Sequence, residues 1–448
     1  MGLRAGMKVL VKRLGEAIIV KLTGDGALVS LLAADGLQVK QPYDNIQVLE
    51  DTVESVEQPE ARRSEIDLDQ FEQSKALEAL RFGLVPESCL PMLTVGYEDL
   101  VQWIEACMPY SNGQVCRIHE VCGPFGTGKS HTMALVRQIA LEKNYLVARI
   151  EADGKSVNLA APQRLLYNIW LSIEGHDLNR DMPLLDLYLK VLQKGYDSIP
   201  QPLKDVEIMA QNFTFIKKLK DAQTIDDCVA IIEDALAGNE TVTGTQIKAD
   251  LAHHSGLRRN QITFRPMIFR GWQDRLTMFV LSLAGHALLA RAAGYRGIVL
   301  TIDEFEIHHN MPAADQAKVR DLIKRLDEYV NHNIPVPQAP LAIFFGAVSQ
   351  AGQKGDPWIE SLISDSQGKQ YYLTSWSDSQ KQQLANSIYK LYKKVYELPE
   401  DYSPELTLKT ENLLESRDQT DLVRAFIKYY MAVLDVEYGP GRLKACAN

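Results

Sequence analysis

The chain has 448 residues, which is long enough for about two or three domains with sizeable cores. An apolar fraction of 46% and a charged fraction of 24% are typical of a globular protein, and the net charge of −10 argues against a protein that coats nucleic acid non-specifically. The six cysteines form no C-x-x-C pair, so we expect structural thiols. The longest apolar run, 278–293, contains His286 and Arg291 and is predicted to be too short and too polar to cross a membrane. Without a signal-peptide pattern at the N-terminus, we expect a cytoplasmic protein.

Residues 1–50 are predicted to form a small all-β barrel. Short β-prone runs are separated or followed by the turn signals Gly24-Asp25-Gly26 and Ala34-Asp35-Gly36. The pattern resembles Tudor-like (SH3-like) and CarD-type barrels. Basic and acidic side chains nearly balance there, so contact with phosphate and docking of a partner protein both remain open. The acid-rich segment 51–73 is predicted to be a linker.

The strongest motif in the chain reads G-x-x-x-x-G-K-S. Its residues are Gly123, Pro124, Phe125, Gly126, Thr127, Gly128, Lys129 and Ser130. The run before it alternates like a strand and the run after it has helical spacing, which is the order that a phosphate-binding loop requires. Both flanks argue against the alternative of a glycine turn with a chance lysine. Backbone N–H groups of such a loop cradle phosphates, the lysine reaches the β and γ phosphates, and the serine hydroxyl holds Mg²⁺. The motif therefore predicts binding of ATP and Mg²⁺.

A second motif is an aliphatic run, 297–302, that ends in Asp303 and Glu304. The run predicts a buried parallel strand, and ligands of such sheets bind beyond the carboxyl ends of the strands. Asp303 is predicted to hold Mg²⁺ through water, and Glu304 to polarise the water that attacks the γ-phosphate. Since a strand ending in Asp-Glu is common by chance, this assignment depends on the phosphate loop.

Several residues after this pair have weaker assignments. His308 and His309 have no evident further ligand at metal-binding spacing, so we interpret them as ordinary loop or helix residues. The next buried strand ends at Ser349, a candidate sensor of the γ-phosphate. Arg320 and Arg325, on the helix before that strand, are candidates for an arginine supplied to a neighbouring subunit.

Several separated segments together resemble one family. They are 79–86 (ALRFGLVP), 94–98 (TVGYE), the phosphate loop, the run from 293 into Asp303-Glu304, and a late helix with Arg424. Together they resemble the P-loop ATP-binding proteins of bacterial BREX-type phage-defence loci, distant relatives of AAA+ initiator ATPases of the origin-recognition clade. The resemblance spans roughly residues 74–440.

This resemblance implies a fold, a site and partners. The fold would be an AAA+-like P-loop α/β core with a parallel sheet and a helical insertion over 74–374, followed by a C-terminal helical lid over 375–448. Val95 and Gly96 would lie near the adenine, His131 would follow the phosphate loop at the nucleotide, and Arg424 would touch the phosphates from the lid. Expected partners are other copies of the chain, other defence-system proteins and double-stranded DNA, and no membrane is expected.

Three functions are compatible with these motifs. The first is a Mg²⁺-dependent AAA+-type ATPase that couples ATP binding and hydrolysis to assembly on DNA or with a DNA-acting partner, with Lys129 and Glu304 as catalytic residues. The alternative is a nucleotide-gated adaptor that binds ATP and recruits a nuclease, methyltransferase or helicase with little turnover. The intact Asp303-Glu304 pair favours hydrolysis. A small-molecule kinase fits the phosphate loop but not the lid, the barrel or the size.

Overall fold

The computed structural model describes the five strands of residues 8–50 and most of the chain from residue 68 to residue 438. The described ranges are 8–11, 15–23, 26–31, 38–41, 46–50, 68–109, 116–155, 157–195, 197, 199–349, 355–374, 376–398, 403–415 and 422–438. The chain divides into two compact units, Met1–Phe71 and Glu72–Asn448.

The five described strands of the first unit form an antiparallel sheet. Its strands are β1 Lys8–Val11, β2 Gly15–Thr23, β3 Gly26–Leu31, β4 Gln38–Gln41 and β5 Ile46–Glu50. They pair in the order β4-β3-β2-β1-β5, and Val9 and Val11, two residues apart on β1, are both buried. Closure of this sheet into a barrel stays a prediction. The turn predicted at 34–36, most of the turn at 24–26 and the predicted linker up to residue 67 lie outside the described residues.

The second unit contains the phosphate loop and the parallel sheet. Helices α1 Leu68–Phe82, α2 Leu90–Leu93 and α3 Tyr97–Cys107 precede strand β6 Cys116–Gly123, helix α4 Lys129–Glu142 and strand β7 Leu146–Glu151. A helical region follows, with α5 Pro162–Leu171, α6 Pro183–Gln193, α7 Gln201–Lys204, α8 Glu207–Asp221, α9 Val229–Ala237, α10 Gly244–Ser255 and α11 Trp272–Ala293. The later elements are β8 Ile298–Asp303, α12 Ala313–Val330, β9 Leu341–Val348, α13 Glu360–Asp365, β10 Gln370–Tyr372, α14 Asp378–Tyr396, α15 Pro404–Glu415 and α16 Leu422–Tyr438. Helix α1 begins inside the segment predicted as a linker.

Strands β6 to β10 form one parallel sheet in the order β10-β6-β9-β8-β7. Every residue of β8 is buried, which explains its continuous aliphatic sequence. One strand, β9, separates β6 from β8, so the phosphate loop and the acids after β8 share one edge of the sheet, roughly 10 Å apart. The predicted α/β fold with a parallel sheet is confirmed. The three-residue edge strand β10 was not predicted, because it is too short to show a hydrophobic period.

Helix α11 contains the longest apolar run, and the prediction that this segment is too short and too polar to cross a membrane was wrong. The helix starts at Trp272 and has 22 residues, and it alone among the described helices is long and apolar enough to cross a membrane by length and composition. However, 72% of its apolar window is buried inside the protein. Two of its polar side chains contact Trp170 of α5 there, since Trp170 Nε1 donates to Ser282 Oγ at 3.1 Å and the Trp170 and His286 rings pack 4.6 Å apart. These contacts are those of a core helix.

The last three helices and α1 share a hydrophobic core of their own. Leu77 and Leu80 of α1 pack in this core with Ile388 of α14 and Tyr430 of α16. Helix α14 buries Leu384, Ile388 and Leu391 on one face. All five described cysteines are free, and four of them are buried.

Candidate functional site

One cavity at the carboxyl edge of the parallel sheet contains most of the predicted site residues. The predicted residues that line it are Val95, Phe125, Gly126, Thr127, Gly128, Lys129, Ser130, His131, Asp303, Glu304 and Arg424. Gly123 and Pro124 lie at the start of the loop and Gly96 follows Val95, and these three are not among the lining residues. Segments far apart in sequence therefore meet around one space.

The phosphate loop curls because its glycines adopt backbone conformations that other residues avoid. Gly126 has φ 72° and Gly128 has φ 105°, both in the left-handed region, and α4 begins immediately after Gly128. A Cβ atom on Gly123 would lie 2.6 Å from the Leu373 carbonyl oxygen. The N-terminal end of α4, which is the positive end of the helix dipole, contributes Lys129 and Ser130 to the lining of the cavity.

Lys129 is buried and folds back over its own loop. Its Nζ donates to the carbonyl oxygens of Gly123 at 3.2 Å and of Pro124 at 3.0 Å. The ammonium also lies 5.4 Å from the centre of the Phe125 ring. These bonds hold the charge at the mouth of the loop, where a phosphate oxygen would compete with the two carbonyls for the same protons.

Asp303 lies buried at the end of β8, with 5% of its surface exposed. Its Oδ1 accepts a hydrogen bond from the Glu304 N–H at 3.0 Å. A Cβ atom on Gly346 of β9 would lie 2.5 Å from Oδ1, so the glycine leaves the room that this carboxylate occupies. A buried carboxylate is costly unless a positive charge compensates it. Oxygen donors from Asp303 and Ser130 line the same cavity, which is the donor chemistry that Mg²⁺ prefers.

Glu304 is exposed and has φ 57°, a left-handed conformation that is uncommon for a residue with a side chain. Partial burial raises the pKa of its carboxyl group, and the nearby charges of Glu151 and Asp303 act in the same direction. The positive charges of Arg424 and Lys129 partly offset this rise. The structure therefore brings Glu304 into one cavity with Asp303, Lys129 and Arg424, the three charged residues that were predicted to share its site.

Glu306 is a second glutamate in the cavity, and the sequence analysis assigned it no role. It lines the cavity, burial raises its pKa, and its Oε2 has no hydrogen-bond partner among the described residues. Lys129 lines the same cavity, and its positive charge partly offsets the rise in the pKa of Glu306. The prediction stopped at the Asp-Glu pair. The signal that could have identified Glu306 is the Glu-Phe-Glu spacing in the turn that directly follows β8.

The other side of the cavity is largely apolar. Its apolar side chains come from the segment before α3, the segment before α14, and α16, and include Leu84, Leu93, Val95, Trp376, Val423 and Ile427. Thr94 Oγ1 and His131 Nε2 lie 2.7 Å apart and join this wall to the start of α4. Burial lowers the pKa of His131 to about 4, so its ring is neutral at physiological pH. An apolar wall with a few polar groups suits a flat heterocyclic base.

Arg424 lines the cavity from α16, and a glycine of the segment 79–86 lies beside it. Gly83 has φ 69°, and a Cβ atom there would lie 2.8 Å from Lys428 Cδ and 3.0 Å from Arg424 Cγ. A residue with a side chain at position 83 would therefore have a strained backbone and would displace the side chains of Lys428 and Arg424. The segment 79–86 thus leaves room for the Arg424 side chain beside the cavity.

Ser349, His308 and His309 do not line the cavity. The Ser349 N–H donates to the Gly123 carbonyl oxygen at 3.1 Å, and its buried Oγ has no hydrogen-bond partner among the described residues. The sequence showed no third ligand for the two histidines at metal-binding spacing, but the fold brings one close to them. Asp356, 47 residues beyond His309, lies beside both imidazoles, because the fold returns the chain to this point after β9.

The two arginines on α12 differ in their surroundings. Arg325 pairs with Glu328 at 3.0 Å and has 17% of its side chain exposed, so it is held within its own chain. Arg320 is exposed and its guanidinium lies 4.6 Å from the centre of the Trp358 ring. Neither arginine lines the cavity of its own chain.

Comparisons with known proteins give one family and one distant structural likeness. Residues 69–170, from α1 to α5, match the family described as BREX system ATP-binding protein BrxC/D. A search of curated proteins found no match. The solved structure of the Aeropyrum pernix ORC2 protein, described as ADPNP-ADP complexes, is 9% identical with a TM-score of 0.33, covering 78% of this chain and 63% of that chain, so the chain spans less than two thirds of that protein. The resemblance predicted from the sequence is confirmed over residues 69–170, which match the family described as BREX system ATP-binding protein BrxC/D.

Proposed function

We propose that this chain is a Mg²⁺-dependent ATP hydrolase of the AAA+ type that acts in a BREX phage-defence system. One observation supports this proposal above the others. A single cavity collects the phosphate loop, the acids after β8 and an arginine from the C-terminal helices. The family that matches residues 69–170 is described as ATP-binding, which supports ATP as the nucleotide.

The phosphate loop and Lys129 would bind the phosphates. The loop N–H groups and the start of α4 offer hydrogen-bond donors and a positive dipole. Lys129 would exchange its bonds with the Gly123 and Pro124 carbonyls for bonds with phosphate oxygens. A charge-assisted bond to phosphate is stronger than a bond to a neutral carbonyl, which favours this exchange.

Ser130 and Asp303 would hold Mg²⁺, the serine directly and the aspartate through water. When bound, Mg²⁺ neutralises charge on the phosphates. Asp303 is kept in place by the Glu304 N–H and by the space that Gly346 leaves. Bound Mg²⁺ would thus supply the positive charge that compensates the buried carboxylate of Asp303.

Glu304 would orient and deprotonate the attacking water. A general base must be ionised, and a raised pKa makes it a stronger base once ionised. Glu306 lies on the same side of the cavity and would place a second carboxylate near the phosphates. Arg424 and Lys129 would stabilise the negative charge that develops in the transition state.

The three C-terminal helices would act as a lid, consistent with the proposed domain boundary near residue 375. Arg424 joins them to the cavity, so closure around a nucleotide would bring that charge to the phosphates. In a self-assembled state Arg320, which is exposed on α12, is better placed than Arg325 to act on a neighbouring copy. Double-stranded DNA and other defence-system proteins enter the proposal through the family resemblance.

The test is to measure ATP binding and phosphate release by the purified chain, with and without duplex DNA. We expect Mg²⁺-dependent binding and a turnover that rises with DNA. The alternative is a nucleotide-gated adaptor that recruits a DNA-acting enzyme, and the exposure of Glu304 favours it, because that side chain is not enclosed around a water site. Tight binding with flat, near-zero turnover would select the adaptor. Failure to bind ATP would overturn both proposals.

A further inference from the structure

A second cluster of ligand-type side chains lies outside the nucleotide cavity. His308 Nε2 and His309 Nε2 lie 3.5 Å and 3.2 Å from the same oxygen, Asp356 Oδ2. The three ligand atoms all lie within 4.8 Å of one another. Zn²⁺ with ligands at 2.0–2.1 Å in a tetrahedral site holds neighbouring ligand atoms about 3.3 Å apart. The two distances to Asp356 Oδ2 therefore fit such a site before any side chain moves.

The orientation of His308 adds an independent observation. This side chain is completely buried, and its Nδ1 lies 2.7 Å from the Phe305 carbonyl oxygen. Because a carbonyl oxygen only accepts, Nδ1 carries the proton, and the lone pair of the neutral ring is on Nε2. That Nε2 has no hydrogen-bond partner among the described residues. A backbone carbonyl that fixes the far nitrogen of an imidazole is the usual second contact of a metal-ligating histidine.

Asp356 is held in a similar way. Its Oδ1 accepts from the Trp358 N–H at 2.9 Å, which leaves Oδ2 directed at the histidines. Its own N–H donates to Glu120 Oε1 of β6 at 2.7 Å. The Trp358 ring packs against the His308 ring, with the ring centres 4.0 Å apart. His309 is 38% exposed and gives the cluster a route to solvent.

We propose that His308, His309 and Asp356 form a binding site for a divalent transition-metal ion of the Zn²⁺ class, with a fourth position open on the side of His309. Two imidazoles and one carboxylate are donors that such ions accept, whereas Mg²⁺ prefers oxygen donors. The ion would join the turn after Glu304 to the segment at Asp356, which Glu120 ties to the strand of the phosphate loop. The site is independent of the proposed ATPase activity.

The test is Zn²⁺ binding to the full chain, first stripped with a chelator. Affinity is measured by competition with a chromophoric chelator, and stoichiometry by elemental analysis. Excess Mg²⁺ is present and nucleotide is absent, so that Ser130 and Asp303 do not contribute. We expect about one Zn²⁺ per chain. His309→Ala and Asp356→Asn should each weaken binding roughly 100-fold or more, since even outer-shell changes weaken metal binding 10- to 100-fold. Co²⁺ in place of Zn²⁺ should give the intense visible absorption of a tetrahedral site.

The matched control is His253→Ala. His253 and His254 are also adjacent histidines, on α10, and they are not part of a three-ligand group among the described residues. The His253→Ala variant should bind Zn²⁺ with the affinity of the parent chain. His309 is partly exposed, so His309→Ala should keep the far-ultraviolet circular dichroism of the parent chain. Absence of stoichiometric Zn²⁺, or equal affinity in His309→Ala and the parent, would overturn the metal site and leave only a hydrogen-bonded cluster. Neither result bears on ATP binding, which is measured separately.

Discussion

The contact between Arg81 of α1 and Asp435 of α16 should decide how firmly the C-terminal helices are held closed. Arg81 Nε and Nη2 donate to the two carboxylate oxygens of Asp435 at 2.9 Å and 2.8 Å. The hydroxyl oxygen of Tyr396 accepts from Arg81 at 2.8 Å, and the O–H group of Tyr392 donates to Asp435 Oδ1 at 3.0 Å. One paired charge thus joins α1, α14 and α16, the helices that share a core beside the nucleotide cavity.

The expected coupling energy follows from the burial of the two side chains, which are 20% and 35% exposed. Loss of one partner from a fully buried ion pair costs about 3–5 kcal/mol, and an exposed pair contributes about 0–1 kcal/mol. A half-buried bidentate pair should lie between these limits. We therefore predict a coupling energy of about 2 kcal/mol between Arg81 and Asp435, equivalent to roughly a 30-fold change in an equilibrium constant.

A double-mutant cycle with Arg81→Met and Asp435→Ala measures this coupling. Native-state hydrogen exchange of the α16 amides reports opening of these helices and needs no two-state unfolding of the whole chain. Each single variant should exchange faster, and the double variant should exchange about 30-fold more slowly than additivity predicts. The control cycle uses the exposed pair Lys217 and Asp221 on α8, for which we expect less than about 0.5 kcal/mol. A coupling at Arg81–Asp435 no larger than in this control would refute the reasoning from burial.

Three further predictions concern the nucleotide cavity. Lys129→Ala should weaken ATP binding by about 1.5–3 kcal/mol, or roughly 10- to 150-fold in Kd, because charged hydrogen bonds to phosphate are lost. Isothermal titration calorimetry measures this affinity, and an unchanged Kd would show that Lys129 does not bind the phosphates. Gly346→Ala places a Cβ atom 2.5 Å from Asp303 Oδ1, so it should displace that carboxylate and raise the Mg²⁺ concentration needed for hydrolysis, and an unshifted Mg²⁺ titration would contradict the assignment of Asp303. Burial raises the pKa of Glu304 and Glu306 above the ordinary 4.5, and the base acts only when it is ionised. As the pH is lowered, kcat should therefore begin to fall while the pH is still above 4.5. A kcat that stays constant down to pH 4.5 would exclude both residues as the base.

The chemistry of the site could be predicted from the sequence where short segments carry it. The phosphate loop needs glycines, a lysine and a serine at fixed spacing, and its flanks show the periods of a strand and a helix. The strand ending at Asp303 is buried on both faces and therefore reads as one aliphatic run. Such signals depend on the immediate neighbours of a residue, which the sequence shows directly.

Contacts between distant segments could not be predicted in the same way. Arg81 and Asp435 are 354 residues apart, and nothing in either segment indicates the other. Asp356 reaches His308 and His309 only because β9 carries the chain back across the sheet. The edge strand β10 has three residues and depends on pairing with β6 for its existence. In each case the tertiary fold, and not the local pattern, creates the contact.

The length of α11 has a similar explanation. Its first turn contains the polar and charged residues Gln273, Asp274 and Arg275, so the apolar run in the sequence begins later than the helix does. In the fold, Arg275 Nε donates to the Phe269 carbonyl oxygen at 3.0 Å. A helix whose start is polar and whose middle is enclosed has no single period to detect.

ATP hydrolysis by Glu304→Gln beside the parent chain, with Glu306→Gln as the matched control two residues away, tests whether Glu304 is the catalytic base. We expect Glu304→Gln to bind Mg²⁺-ATP with unchanged affinity and to release phosphate about 10²–10⁴-fold more slowly, because the amide cannot accept the proton of the attacking water. Glu306→Gln should lose less activity than Glu304→Gln. Hydrolysis by Glu304→Gln at the parent rate would show that Glu304 is not the base, which would then lie elsewhere in the cavity or outside it.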